Sequence, residues 1–400
     1  MRTPFEPGAR ATSGGIALCV PEIGGNEWSY VKDCLDTGWV SSVGAYVDRF
    51  ECSVAEYIGT KFAVATVNGT SALHVALRVA GVEPDDEVLV STLTFIAPAN
   101  AIRYAGAWPV FIDAEPEFWQ MDPQRVADFL EKECSWSGGT LRNRATGRRV
   151  KALLPVHILG HPVDLDPLLA LARKFGLPVI EDATECLGAS YCGERVGCGG
   201  DIACFSFNGN KIITTGGGGM IVTDNEAWAT RAKYLTTQAK DDPVEYEHRE
   251  IGYNYRLTNI QAAIGCAQME QLDGFIAAKR RIAAAYRTAL AGVPGVTPMR
   301  EAAWAASIAW LFTVRIEPAA FGRGSRELLA ALGSEGIQTR PLWQPMHRSA
   351  AHAGSPRVGG EIAEALCAEC LSLPCSAGLT TAEQDRVTTA IQALAGAAVS

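Results

Sequence analysis

The chain has 400 residues, 48% apolar and 20% charged, with a formal net charge of −9. That size suits a large domain joined to a smaller one, with a core that needs no disulfide or metal staple. The apolar fraction excludes a disordered chain, and the acidic total argues against a general nucleic-acid binder. Residues 1–25 read as an N-terminal arm. From Trp28, Val31 and Leu35 to Phe50, Val54 and Tyr57, helical spacing predicts two amphipathic helices around the turn-rich GWVSSVGAY. Short apolar runs then alternate with helical segments: FAVATV (62–67), EVLVS (87–91), PVFID (109–113), KALLPV (151–156), PVIED (178–182), IACFSF (202–207) and GMIVT (219–223). This alternation predicts an α/β fold with a large, doubly wound, mostly parallel sheet, whose ligands sit at the carboxyl ends of the strands. Residues 133–150, polar and basic, read as an exposed loop. A long helical pattern from about 259 leads to a smaller C-terminal α/β domain, with an apolar run WLFTVRI, a helix around 325–336 and a final helix after Leu379. The division expected is an arm at 1–25, a large domain at 26–265 and a small domain at 266–400.

There is no apolar run of about eighteen residues, so no membrane span is expected, and MRTPFEPGARATSGG lacks the apolar core of a signal peptide. A cytoplasmic location follows by default. The twelve cysteines do not resemble a secreted disulfide framework. Cys367 and Cys370 form one C-x-x-C, but AEALCAECLSL has helical spacing, and no metal is expected. Cys204 in IACFSF suits a buried strand.

Four segments carry candidate chemistry. Ser206-Phe207-Asn208-Gly209-Asn210-Lys211 places a lysine after a buried strand and before the four glycines 216–219. A lysine desolvated there can act as a nucleophile or form an imine; one exposed beside a turn does neither. Glu181, Asp182 and Glu185 follow another strand, where an acid can cap a helix or pair with a cationic ring nitrogen. Val67-Asn68-Gly69-Thr70-Ser71 opens a helix: either an N-cap by Asn68 or Thr70, or an anion site of backbone N–H groups and hydroxyls. Phe95, in STLTFIAP, is either a core ring or one that stacks on a flat cofactor. Together they supply a phosphate cradle, a ring, a carboxylate and a lysine at one edge of one sheet, the set that pyridoxal phosphate requires.

The chain resembles the DegT-type, pyridoxal-phosphate-dependent nucleotide-sugar aminotransferases of fold type I. The resemblance runs from about Pro21 to the C-terminus, through NEWSYVKDCLDTGWVSS, NGTSALHVAL, STLTFIAPANAIRYAG, PVHILGHPVDLD, EDATE, SFNGNKIITTGGGGMIVTDN and GYNYRLTNIQAAIG. It is nearest to the legionaminic-acid/bacillosamine 4-aminotransferases, with the perosamine-forming enzymes close behind. The resemblance implies that Lys211 bonds the cofactor and moves the proton, and that Asp182 pairs with the pyridine nitrogen. It implies that Phe95 stacks on the ring, and that Gly69, Thr70, Ser71 and Ser206 hold the phosphate. Arg256, in GYNYRLTN, matches a residue that reaches the phosphate in the neighbouring subunit, which implies a homodimer with shared sites. Glu185 stands where many relatives carry His or Gln near the cofactor's O3′, and Gly217 replaces the glutamate of the usual Gly-Glu-Gly-Gly run.

For the substrate, Trp39, Ser41 and Ser42 match a segment near the sugar and nucleotide. His157 and His161 follow the PVH strand, and Arg340, Trp343 and His347 match the mouth of the site. Either a structural or a ligand-facing role suits each histidine. The reaction implied transfers an amino group from L-glutamate to C4 of a nucleotide-linked 4-keto-6-deoxy sugar for a bacterial surface glycan. UDP-4-keto-6-deoxy-N-acetylglucosamine is the first choice of acceptor and GDP-4-keto-6-deoxymannose the alternative. A sugar dehydratase of the same fold is disfavoured by Lys211, which those relatives replace with histidine. Lys211 and Asp182 together disfavour a non-catalytic relative. A dehydrogenase is disfavoured because no G-x-G-x-x-G opens the first strand–helix unit.

Overall fold

The computed structural model describes residues 14–242 and 244–396. Its centre is a seven-stranded sheet: β1 (Phe62–Thr66), β2 (Glu87–Ser91), β3 (Trp108–Ile112), β4 (Val150–Leu154), β5 (Ile180–Asp182), β6 (Ile202–Ser206) and β7 (Gly219–Thr223). Strand pairing and the parallel bridges Leu153–Val179 and Val156–Asp182 give the order β3-β2-β4-β5-β6-β7-β1. Only β7 runs antiparallel, pairing Thr66 and Ser206 with Gly219. The other six are parallel and buried on both faces, which explains their continuous Val/Ile/Leu/Ala runs. Thr66, Ser91, Asp182 and Ser206 therefore end at the same edge.

Helices α1 (Glu27–Thr37) and α2 (Ala45–Ile58) precede the sheet. Each stops at a left-handed glycine, Gly38 and Gly59, where a side chain would be strained. Helices α3 (Gly69–Val79), α4 (Ala97–Tyr104), α5 (Leu165–Phe175) and α6 (Glu226–Thr236) cover the strands. Asn68 caps α3 by accepting the Ser71 N–H at 2.8 Å. The expected loop at 133–150 contains a hairpin, Cys134–Ser137 with Thr140–Asn143. Its Asn143 and Thr146 side chains bond the buried Glu87, an anchor that polarity alone does not reveal.

The long C-terminal helical pattern divides into α7 (Asn259–Met269) and α8 (Leu272–Leu290). Phe275 and Ile276 pack on the large-sheet core, whereas Ile282, Tyr286 and Leu290 enter a separate core. That second core is built on strands β8 (Val296–Pro298), β9 (Phe312–Ile316), β10 (Arg340–Pro341) and β12 (Cys370–Leu373), with helices α9 (Ser325–Ser334) and α11 (Thr381–Leu394). Strand β11 (Arg357–Val358) instead extends the large sheet beside β3, so chain beyond residue 266 contributes to both sheets. Helix α10 (Glu361–Glu369) holds Cys367, and Cys370 begins β12, so the C-x-x-C spans a helix end rather than one continuous helix. Of the expected arm, residues 1–13 lie outside the described residues. Ile16 is already anchored, exchanging backbone hydrogen bonds with Gly336 and Gln338.

Candidate active site

A cleft of about 520 Å³ opens at the carboxyl edge of the large sheet. The loop after β6 supplies Lys211, fixed at its backbone by a hydrogen bond to the Asn208 carbonyl (3.0 Å). The side chain is only 13% exposed. Its Nζ lies 3.5 Å from Glu185 Oε1 and 4.1 Å from the centre of the Trp310 ring. Trp310 is the main lining residue that the sequence reading missed. It begins WLFTVRI, a run that reads only as a buried strand, and its indole N–H donates to the Asn210 carbonyl at 2.7 Å.

Glu185 Oε2 accepts the Leu159 N–H at 2.8 Å. Leu159 has φ 61°, a left-handed backbone unfavourable for a leucine, and it also lines the cleft. Glu185 thus ties a strained turn to the lysine. Burial pushes its carboxyl up to about 7, against the pull of the Lys211 charge. Asp182 ends β5 behind the lining and is 2% exposed. Burial raises its pKa, while the Thr184 backbone N–H at 3.2 Å and the Lys211 charge oppose the rise.

The opposite side of the cleft is the start of α3. Gly69 and Thr70 line it, and the first N–H groups of a helix have no partner within that helix. A Cβ on Gly69 would lie 2.8 Å from the Ser206 Cβ, so only glycine lets α3 come this close to β6. Ser206 also lines the cleft, whereas Ser71 is buried and does not line it. Gly219 is similarly constrained, since a Cβ there would stand 2.5 Å from the Asn68 carbonyl oxygen. Phe95 is at the rim with 56% of its surface exposed, so it is not a core ring.

These residues fit pyridoxal phosphate. The α3 N-terminus offers an anion cradle, the exposed Phe95 a stacking face, and Lys211 an amine in the cleft. A carboxylate has about four acceptor positions, so the Thr184 contacts leave Asp182 able to accept from a cationic ring nitrogen.

Of the expected substrate residues, Arg340 and Trp343 line the far wall of the cleft. Three histidines lie elsewhere. His157 is fully buried: its Nδ1 accepts the Val163 N–H (3.0 Å) and its Nε2 donates to Glu181 (2.9 Å). His161 donates from Nδ1 to the Pro162 carbonyl and accepts the Ala302 N–H at Nε2, and burial lowers its pKa to about 4. His347 bridges Thr92 (2.7 Å) and Glu364 (2.9 Å), joining α10 to the loop that carries Phe95. Trp39, Ser41 and Ser42 occupy a surface loop. Asn259, another residue missed in sequence, anchors that loop through the carbonyls of Trp39 (2.8 Å) and Ser41 (2.6 Å). Arg256 lies outside the cleft and donates to Glu51 of its own chain at 2.6 Å. Among the described residues, no group of three or more His, Cys, Asp or Glu could hold a metal, and no helix is long and apolar enough to cross a membrane.

Comparison with known proteins identifies the family. The model of the DegT/DnrJ/EryC1/StrS aminotransferase family matches residues 21–392. The chain is 41% identical to a GDP-perosamine synthase from Caulobacter vibrioides, over 94% of this chain and 97% of that protein. It is 39% identical to the putative pyridoxal phosphate-dependent aminotransferase EpsN of Bacillus subtilis, over 93% and 94%. Among solved structures, DesV of S. venezuelae superposes with a TM-score of 0.84 at 33% identity, over 94% of this chain and 95% of that one. The chain therefore belongs to the DegT/DnrJ/EryC1/StrS aminotransferases and is a pyridoxal-phosphate-dependent sugar aminotransferase.

Proposed function

We propose that the protein transfers an amino group from L-glutamate to C4 of GDP-4-keto-6-deoxymannose, the perosamine-forming reaction. The observation that carries this reading is the 41% identity to a GDP-perosamine synthase over nearly both full lengths. A second protein of that name, from Escherichia coli O157:H7, is 41% identical over 83% of this chain. This reverses the order expected from the sequence, which put the UDP-linked N-acetyl sugar first. That sugar remains the second reading, supported by the resemblance of the motif blocks to the legionaminic-acid/bacillosamine group.

Pyridoxal phosphate, when bound, supplies an electron sink for the carbon that loses its proton. Lys211 serves as the amine that holds it and, in each half of the reaction, as the base and acid that moves a proton between the substrate carbon and the cofactor. Asp182 holds a negative charge against the ring nitrogen. The α3 N-terminus and Ser206 hold the phosphate. Glu185, with a pKa about 7, takes or returns a proton at Lys211 across 3.5 Å. Arg340 on the far wall pairs with an anionic group, either the donor's carboxylate or the diphosphate. We further propose the division into domains at 26–265 and 266–400, operation in the cytoplasm, and a homodimer as the working unit.

The test is a single-turnover assay. Enzyme preloaded with the amino group from L-glutamate and freed of excess donor is mixed with GDP-4-keto-6-deoxymannose or UDP-4-keto-6-deoxy-N-acetylglucosamine. One equivalent of amino sugar from the GDP substrate, at least tenfold faster than from the UDP one, is expected. The opposite preference restores the second reading, and no product from either overturns both.

A further inference from the structure

A second reactive cluster lies against the back of the Lys211 loop. The Leu18 carbonyl accepts the Cys375 N–H at 2.8 Å, and the Val20 N–H donates to Ser376 Oγ at 3.0 Å. Residues 18–20 therefore run alongside 375–376, which sets Cys19 beside Cys375, and the Cys375 S–H reaches the Trp310 carbonyl at 3.3 Å. Lys279, from α8, points at both: its Nζ is 3.5 Å from Cys19 Sγ and 3.8 Å from Cys375 Sγ, and donates to the Trp310 carbonyl at 2.9 Å. Lys279 is 2% exposed, and among the described residues no carboxylate forms an ion pair with it. A buried ammonium needs a compensating charge, and here an ionised thiol is the group that can supply one.

The two thiols are driven apart. The Cys375 hydrogen bond and the Lys279 charge outweigh burial and bring Cys19 down to about 6, with Lys211 adding a smaller pull. Cys375, beside Cys19 and fully buried, is raised well above the usual thiol range. Cys19 is only part-buried, so a small oxidant reaches it. As a thiol it also donates to the Asn210 carbonyl at 3.3 Å, the residue before Lys211 and the same carbonyl that binds the Trp310 indole.

We propose that Cys19 and Cys375 are a peroxide-sensitive thiol pair whose closure to a disulfide alters the support of the Lys211 loop. The Cys19 thiolate attacks one oxygen of hydrogen peroxide. The O–O bond breaks, hydroxide leaves, and Cys19 becomes a sulfenic acid. The Cys375 sulfur then attacks the Cys19 sulfur, the S–O bond breaks, and the hydroxyl leaves as water with the Cys375 proton. Overall, two thiols and one peroxide give one disulfide and two waters. The disulfide leaves Cys19 with neither the S–H that the thiol form donates to Asn210 nor the negative charge that the thiolate form sets beside Lys279.

The test uses the full chain with its cofactor, reduced and then treated with hydrogen peroxide. Peptide mapping is expected to find Cys19 joined to Cys375, with the other ten cysteines still open to alkylation. In Cys375→Ser, Cys19 is expected as a sulfenic acid that dimedone traps. Before oxidation, iodoacetamide should modify Cys19 at pH 7 about 10-fold faster than the exposed Cys52. Lys279→Met should erase that advantage; if this variant does not fold, the wild-type alkylation profile, half-maximal near pH 6, takes its place. Oxidation that starts at Cys52 or Cys192 while Cys19 stays alkylatable overturns the proposal. So does a Cys19 profile like that of an ordinary thiol.

Discussion

Lys211 and Glu185 face each other across 3.5 Å, and the lysine's charge opposes the rise that burial imposes on the carboxyl. Lys211→Ala removes both the amine and the proton carrier, so turnover is expected to fall by on the order of 10³-fold or more. Steady-state rates with L-glutamate check this, and a residual rate within tenfold of wild type would refute it. Glu185 gives a pH signature. Its folded pKa, raised to about 7, exceeds that of an ordinary glutamate, so the folded state holds the proton more tightly. Stability from this group is complete below the unfolded value of 4.5 and is lost as pH rises through 7. Glu185→Gln does not titrate, so its melting temperature relative to wild type is expected to rise between pH 5 and pH 8. Thermal melts of cofactor-free protein measure this, and a constant difference rejects it. At this scale, the strand-end positions of Lys211, Asp182 and Phe95 were legible in sequence, because chemistry placed after an apolar run falls at the sheet's carboxyl edge. Trp310 was not legible, since only folding brings it over the lysine.

Elements show what spacing conceals. The N-terminus of α3 reaches the cleft because Gly69 leaves no side chain above Ser206. Gly69→Ala is expected to cost about 1–3 kcal/mol by overpacking and to weaken retention of pyridoxal phosphate. Denaturant unfolding and dialysis against buffer read the two effects separately, and an unchanged midpoint would count against the close approach. His157 illustrates the reverse case. Its position after a strand left two roles open, because sequence does not tell which side of the sheet a ring enters. The structure pairs it with Glu181, whose carboxyl burial would raise but which His157 and the Gly197 and Gly200 N–H groups hold below the usual range. Removing one partner of a buried pair typically costs about 3–5 kcal/mol. His157→Ala is accordingly expected to lose stability of that order while leaving KM for the sugar nucleotide unchanged. A tenfold rise in KM with normal stability would make His157 a substrate ligand instead.

On the scale of the whole molecule, α1 and the loop after it leave large apolar side chains in solvent. Trp28 is 78% exposed and Leu35, two turns further along the same face, 58%, an apolar patch that a second copy of the chain can bury. Trp28→Glu combined with Leu35→Glu is expected to shift the proposed homodimer to monomer in sedimentation, and a dimer left unchanged by both would move the interface elsewhere. The two-part organisation was visible in the change from strand–helix alternation to the long helical run. The return of β11 to the large sheet was not, because two residues carry no periodicity. The cleft itself is assembled from two sources. Its floor, with Lys211, Ser206 and Gly69, belongs to the large sheet, while its far wall comes from Leu18, Trp310, Arg340 and Trp343, remote in the chain. Changes in that wall leave the strand ends untouched. On the proposed function, drift in that wall retunes the sugar accepted while Lys211, Asp182 and the start of α3 keep their places.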